Sequence, residues 1–477
     1  MHRILLAALV AAGLAGCGRD SADPTPGPPD PDTTPTDPTA FLDDVQARTF
    51  DFFWETTNPD NGLTPDRWPD PPFSSIAAVG FALTAYPVGV EREWVDRADA
   101  AARARTTLDF LWRAPQGDAA SGTAGHRGFF YHFLGMGSGV RQGGTELSTI
   151  DTALLMAGVL AAGQYFDGDG AVESDVRALA DSLYRRVEWD WAAPRPPRIA
   201  LAWDPADGFS TYDWRGYNEA MILYILALGS PTHAIDAGAW AAWTSGYRWN
   251  AFYGQPHVNF APLFGHQYSH VWIDFRDIQD AYMRGQGIDY FENSRRATLA
   301  QRAYAVDNPG DWNGYGEQFW GLTASDGPGT FTAQVGGGSR SFRGYWARGA
   351  AATTVRDDGT LAPTAAGGSV PFAPEVAIPA LRAMVTAYGD RLYGEYGFRD
   401  AFNPTLREPD APVVDGTVVS GVGWFDEDYL GIDQGPILLM IENHRSELVW
   451  QLMRESPYIV RGLCRAGFAG GWLEGRC

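Results

Sequence analysis

Positive charge is in short supply: 36 Lys and Arg stand against 58 Asp and Glu, a formal net charge of -22. That balance argues against nucleic acid and anionic membrane surfaces as partners, and disfavours a polyanionic substrate such as a uronate polymer. A neutral polymer fits better. Cysteine is scarce, with Cys17, Cys464 and Cys477 the full set, and their spacing resembles no zinc site. Cys464 and Cys477 share the last stretch, so a disulfide closing the tail is expected in an oxidising compartment. No apolar run is long enough to span a membrane as a helix. No second Pro/Ser-rich linker follows residue 40, so 41–477 reads as one domain.

The first residues, MHRILLAALVAAGLAGC, have a short basic start, an apolar stretch from Ile4 to Leu14 and small residues running into Cys17. This is an export signal over 1–16, and Leu14, Ala15, Gly16 and Cys17 resemble the box cut before an acylated cysteine. Gly18, non-acidic, points to the outer membrane. A lipid anchor at Cys17 is therefore the one membrane attachment expected. Residues 17–40 are rich in Pro, Thr and Asp and lack large apolar side chains from Ser21 on, so they form a tether that buries no core. At about 3.1 Å per residue it holds the following domain away from the lipid.

Beyond it, helical periodicity dominates and comes in two kinds. Glu91 to Trp112, Val172 to Trp189 and Phe291 to Val306 carry charge on one face only, as outer helices do. Ser74 to Tyr86, Asp151 to Tyr165, Glu219 to Ser230, His270 to Phe275, Glu317 to Ser325 and Asp433 to Ile441 are apolar nearly all round. Helices of that kind must be buried on every side. Their alternation, with Ala373 to Tyr388 as the last outer helix, predicts an all-α (α/α)6 toroid of six helical hairpins. Five inner helices start at a polar residue: Asp151, Glu219, His270, Glu317 and Asp433. Antiparallel hairpins put all inner N-termini at one end of the ring, so these side chains are expected to converge, although helix capping explains any one of them.

Glycosidic cleavage needs one carboxylic acid to protonate the leaving oxygen and a second carboxylate to activate water or attack the sugar. Glu219, flanked by Trp214 and Tyr217 at the start of an apolar helix, is the expected acid, its pKa raised by desolvation. Asp433, on a loop between Gly431 and Gly435 that lets a substrate approach closely, is the preferred base. Asp151, with Glu146 one turn upstream, competes for that role. His266, Tyr268 and His270 are read as sugar-binding. The alternatives are a metal shared with Asp274, or the acid and base of a polysaccharide lyase. Asp66 and Arg67 in NGLTPDRW are expected at the same mouth, or as an ion pair, and Glu317, Trp320, Asp326 and Trp424 are further candidates for sugar contact. The stretch from Gly329 to Gly368 is expected to set the subsites. DGDGAVESD (Asp167 to Asp175) lacks the full spacing of a calcium loop and reads as a capped turn. No cofactor is expected, structural calcium there being the weaker alternative.

Several long motifs together carry a family resemblance: GLTPDR, STIDTALL, YNEAMILYILALGSPTH, PLFGHQYSHVWIDFRD, FWGLTASDGP, PEVAIPALRAM and YLGIDQGPILLMIENHRS. Across Phe41 to Glu455 the chain resembles the bacterial glucoamylase-domain family, shared by endo-β-1,2-glucanases and the middle domain of cyclic β-1,2-glucan synthases. The resemblance implies an (α/α)6 barrel and inverting cleavage of β-1,2-glucan, with Glu219 and Asp433 as the leading catalytic carboxylates. It further implies a proton passed through a substrate hydroxyl, as in related glucanases. A transglycosylase or exo-acting enzyme is the alternative on the same scaffold, and a non-catalytic glycan-binding lipoprotein a further one.

Overall fold

The first helix begins where local chemistry dictates. Asp37 caps it, its carboxylate accepting from Thr39 N at 3.1 Å, and Pro38 occupies the first turn, where its missing N–H costs nothing. The computed structural model describes residues 37–69 and 73–477. The expected signal peptide, the expected acylation site at Cys17 and all but the last few residues of the expected tether lie outside the described residues. Helix α1 (Pro38–Glu55) absorbs Pro38, Thr39 and Ala40, so the folded domain starts slightly earlier than composition suggests.

Six outer-then-inner hairpins follow one another. Helix α1 leads to α2 (Ile76–Glu91), α3 (Arg97–Arg113) to α4 (Thr149–Tyr165), and α5 (Ala171–Arg186) to α6 (Met221–Gly229). Then α7 (Gly238–Thr244) leads to α8 (Tyr268–Trp272); after the short α9 (Ala281–Gln286), α10 (Tyr290–Asp307) leads to α11 (Pro363–Gly367), and α12 (Pro374–Tyr388) to α13 (Gly431–Arg445). Inner helices pack in sequence, α2 on α4, α4 on α6, α6 on α8, and α13 closes the ring on α2 while touching α8 and α11. The fold is an (α/α)6 toroid. Helices α14 (Leu448–Arg454) and α15 (Pro457–Arg465) complete the chain, α15 lying against α6.

The two helix types follow from their sequences. Helix α5 buries only Val176, Ala180, Leu183 and Tyr184, one stripe at helical spacing. Helix α4 buries nearly its full circumference. Small residues let the inner backbones meet: a Cβ on Gly158 would stand 2.0 Å from the carbonyl oxygen of Gly80, and one on Gly80 would stand 2.5 Å from that of Leu154.

Two expectations change here. Glu317 to Ser325 is not a helix; it runs as irregular chain into a two-residue strand, Ala324–Ser325. Leu322 instead exchanges hydrogen bonds with Gln301 on α10, and the tertiary contact overrides the apolar pattern. The fifth inner helix is α11, five buried residues that are too short and too Ala/Gly-rich to show a period. Gln267, at the start of α8, holds it through bonds to Ala365 O and Ser369 Oγ, both 2.8 Å. The expected tail disulfide, Cys464–Cys477, is formed. No helix among the described residues is long and apolar enough to cross a membrane.

Short β-ribbons gather where the inner helices begin. Arg67–Trp68 pairs with Tyr429–Leu430 just ahead of α13, Leu147–Ser148 with Ala202–Asp204 just ahead of α4, and Phe402–Asn403 with Gly423–Phe425.

Glycine packing yields a direct test. Gly158→Ala is expected to cost about 3 kcal/mol through backbone displacement. Gly285→Ala, in α9 with open space around its Cβ, should gain about 0.5–1 kcal/mol. Thermal melting of both variants checks the contrast, and equal effects would contradict the close α2–α4 approach.

Candidate active site

The first carboxylate group is built on the start of α4. Ser148 caps the helix, accepting from Asp151 N at 3.2 Å and donating its hydroxyl to Asp151 Oδ2 at 2.5 Å. His132 reaches over from the preceding ribbon, with Nδ1 2.9 Å from Glu146 Oε1 and Nε2 3.6 Å from Asp151 Oδ2. Burial opposes charge on this imidazole, but Asp151, Glu146 and Asp66 outweigh it and push His132 up to about 9. The same hydrogen bond holds Glu146 below the usual carboxylate range. His132 is therefore an imidazolium at neutral pH.

Glu219 lies in the turn leading into α6, its carbonyl held by Ser269 Oγ of α8 at 3.1 Å. Desolvation raises its carboxyl to about 7, with Asp151 adding to the rise and a backbone hydrogen bond opposing it. Its Oε2 is sealed from solvent and has no hydrogen-bond partner among the described residues. A carboxyl near neutrality with a bare oxygen is a proton donor waiting for an acceptor. The flanking aromatics act from behind: Trp214 donates its indole N–H to Thr149 Oγ1 at 2.9 Å, and Tyr217 is buried against Tyr247, His266 and Tyr290.

Asp433 occupies the first turn of α13 rather than a loop. The glycines beside it serve helix packing, not substrate approach: a Cβ on Gly435 would fall 2.2 Å from the Phe81 ring, and one on Gly431 2.6 Å from Ala78 Cβ. Burial raises Asp433 to about 7; a hydrogen bond with Asp400 opposes this, while Asp326, Asp66 and Asp426 reinforce it. The same contact drives Asp400 well above the ordinary range, after burial. Asp400 is thus the partner that keeps the proton. Its Oδ2 accepts from Asp326 N at 2.5 Å.

Arg67 is the cation of this acidic wall. Its Nη1 lies 2.9 Å from Asp326 Oδ2 and 3.2 Å from Asp428 Oδ2, and its Nε 3.4 Å from Asp66 Oδ2. Behind the wall Arg348, fully buried, pairs with Asp358 and donates to the carbonyls of Ser325 and Asp326. Both halves of the site act on Tyr268, whose hydroxyl is raised by burial first and then by Asp433, Tyr345, Glu219 and Asp151. Tyr345, on the chain between Gly338–Phe342 and Trp346–Ala347, has a largely exposed surface yet feels Asp433, Asp400, Asp326 and Asp66.

Other expected site residues lie elsewhere. His266 and His270 are fully enclosed and neutral: burial lowers His266 well below its ordinary value and His270 to about 3. His266 Nε2 bonds Phe260 O and His270 Nε2 faces Ser294 Oγ, both at 3.1 Å, so they are core histidines and contact no sugar. Asp274, expected beside them, is taken by Arg276 and Arg454. Trp320 and Trp424 are completely buried and offer no ring face to a ligand. Glu317 is 75% exposed beside Arg302, away from the site, because the helix expected to carry it does not form. In the Asp167 to Asp175 stretch, Arg97 pairs with Asp167 and Glu173, and Gly168 N donates to Glu173, giving a capped turn. Of the five polar helix starts, Asp151, Glu219 and Asp433 converge.

His132, Asp400, Asp426, Asp428 and Tyr345 went unread in the sequence. WFDEDYLGID held a usable signal, since acids packed that densely just ahead of a buried helix must share one small volume. His132 and Asp400, each with no other acid or histidine beside it in FFYHF and GFRDAFNP, held none.

The chain resembles several known proteins. The family model described as "Putative glucoamylase" matches residues 211–457, a span holding Glu219 and Asp433 but not Asp151. A Parabacteroides distasonis protein, exo β-1,2-glucooligosaccharide sophorohydrolase (non-reducing end), is 30% identical over 465 residues, covering 90% of this chain. The chain spans 58% of that relative's length. A Bacteroides uniformis crystal structure bearing the same description as the family model is 32% identical, with a TM-score of 0.77 over 92% of this chain and 99% of that one. The Chitinophaga pinensis endo-β-1,2-glucanase, solved with sophorotriose and glucose, is 28% identical, with a TM-score of 0.78 over 92% of this chain and 100% of that one.

The raised groups tie stability to pH. Glu219 and Asp433, each lifted to about 7, and His132, lifted to about 9, all bind protons more tightly folded than unfolded. Their stabilising share is fully present below the unfolded values and is lost as pH rises through 7 and then 9. Melting temperature should therefore fall from pH 5 to pH 9, and Glu219→Gln should melt above the parent at pH 8. A melting temperature that rises over this interval would contradict the assignment.

Proposed function

The chain belongs to the glucoamylase-like family, and from that premise we propose that it is a glycoside hydrolase cutting β-1,2-linked glucan, acting endo and with inversion. The observation carrying this reading is the pair of buried carboxyls, Glu219 ahead of α6 and Asp433 in the first turn of α13, both acting on Tyr268 and both near neutrality, with Glu219 Oε2 lacking a partner among the described residues and Asp433 facing Asp400. Cleavage with inversion needs an acid still protonated and a base already ionised at the same pH. Two groups poised near 7 supply both.

In this reading Glu219 Oε2 gives its proton to the glycosidic oxygen as the bond to the leaving sugar breaks. Asp433 accepts a proton from the attacking water, directly or through a sugar hydroxyl. Asp400, holding its own proton, donates to Asp433 and favours its ionised form. Asp151, held by Ser148 and His132, is suited to accepting sugar hydroxyls as a fixed carboxylate. A neutral glucan agrees with a wall of acids that would repel uronates. The export signal and Cys17 support placing the enzyme on a lipid anchor, at the outer membrane.

An exo-acting hydrolase is the second reading. It is favoured by the Parabacteroides relative, named for releasing sophorose units from the non-reducing end, and by Tyr345 over the acidic end of the cleft.

Incubation with linear β-1,2-glucan should release a range of short oligosaccharides, the first-formed anomer being inverted by proton NMR. Glu219→Gln should lower the rate at least about 100-fold with the fold intact. A product that is disaccharide alone from the earliest time would select the exo reading. No release from this or any other β-glucan would sink the hydrolase itself.

A further inference from the structure

Three carboxylates on the acidic wall, Asp326, Asp426 and Asp428, each bring one oxygen within 4.8 Å of the others. Arg67 neutralises part of this charge through Oδ2 of Asp326 and Oδ2 of Asp428, which leaves Oδ1 of each outside that contact. Asp426 receives none of the guanidinium. Its Oδ1 is turned to the backbone N–H groups of Glu427 and Asp428, at 2.7 and 3.2 Å. Its Oδ2 is shut off from solvent without a hydrogen-bond partner among the described residues, on a side chain only 3% exposed. A bare buried carboxylate oxygen beside two further carboxylates is costly unless a proton or a cation completes the group.

We propose that Asp326, Asp426 and Asp428 form a divalent-cation site, and that its ion is Ca²⁺. An all-oxygen donor set selects a hard cation over zinc or copper. Two oxygens on one ion stand at most twice the metal–oxygen distance apart, about 4.6–5.2 Å for Ca²⁺ and about 4.0–4.2 Å for Mg²⁺. The ligand oxygens all lie within 4.8 Å of one another, a separation that one Ca²⁺ can span, whereas Mg²⁺ demands near-ideal octahedral geometry and gives up water reluctantly. Water or hydroxyl groups would fill the remaining positions.

The ligands come from loops already tied together. Asp426 N donates to Ala401 O, Asp400 N to Asp428 O, Asp326 N to Asp400 Oδ2, and Arg348 to the Asp326 carbonyl. The three carboxylates are therefore in place before an ion arrives, and the ion would clamp the loop ahead of α13 to the segment after Ser325. This site is separate from the Asp167 to Asp175 turn, where Arg97 pairs with Asp167 and Glu173 and Arg105 with Asp175. It does not depend on the proposed hydrolysis.

The test uses the full chain stripped with EDTA and titrated with CaCl₂ by calorimetry, with tryptophan-sensitised Tb³⁺ luminescence as a second probe. One Ca²⁺ per chain should bind with a Kd on the order of 10⁻⁴–10⁻³ M, and Mg²⁺ should bind at least tenfold more weakly. Asp426→Asn and Asp428→Asn should each weaken Ca²⁺ at least tenfold, while Asp169→Asn leaves it unchanged. If Asp426→Asn fails to fold by circular dichroism, Asp428→Asn, at a position with 23% of its side chain exposed, decides alone. The proposal is overturned if the native chain shows no saturable Ca²⁺ binding up to about 10 mM, ten times the weak end of that range. It is equally overturned if the folded ligand variants bind as the native chain does, or if Asp169→Asn is the variant that loses the ion.

Discussion

Withdrawal of carboxyl groups from water, at the one end of a closed helical ring where all inner N-termini meet, governs both the chemistry and the stability of this molecule. Helix N-termini favour negative charge by about 0.3–1 kcal/mol each, which draws acids such as Asp151 and Asp433 to first turns. Burial pulls the other way. Asp433 rises from 3.8 to about 7, by burial first and then by Asp326, Asp66 and Asp426, so these together outweigh the dipole. What results is a set of groups that carry protons near neutral pH.

The ring makes that burial possible. Its inner helices are apolar on all sides and touch through residues as small as Gly80 and Gly158, leaving little room for water below the mouth. The ribbons then sort the acids. On one side His132 sits as a cation between Glu146 and Asp151; on the other Arg67 holds Asp66, Asp326 and Asp428. Glu219, Asp433, Asp400 and Asp426 have no cationic partner among the described residues, and burial raises all four, Glu219 and Asp433 to about 7. Arg67 opposes the rise of Asp66, Asp326 and Asp428, which burial nevertheless lifts above the ordinary range.

Much of this was legible in the chain. Two helix types in alternation gave the toroid, and apolar helices opening on acids gave Asp151, Glu219 and Asp433. The expectations that failed did so for identifiable reasons. Glu317 was assigned to a helix because FWGLTAS is apolar, yet Gln301 ties that segment down as irregular chain. His266 and His270 carry a spacing that suggests ligation, but burial makes it a matter of packing. Trp320 and Trp424 illustrate how aromatic content mostly reports core. Asp400 was illegible because its partner, Asp433, is brought to it only by the closing of the sixth hairpin.

The central claim, that burial reinforced by neighbouring carboxylates turns Glu219 and Asp433 into neutral-range acids, is most directly tested by ¹³C NMR of side-chain-labelled Glu and Asp between pH 4 and 9. Glu219→Gln and Asp433→Asn serve to assign the two carboxyl signals. Both signals are predicted to shift with midpoints near pH 7. Midpoints near pH 4 for the two carboxyls would contradict it.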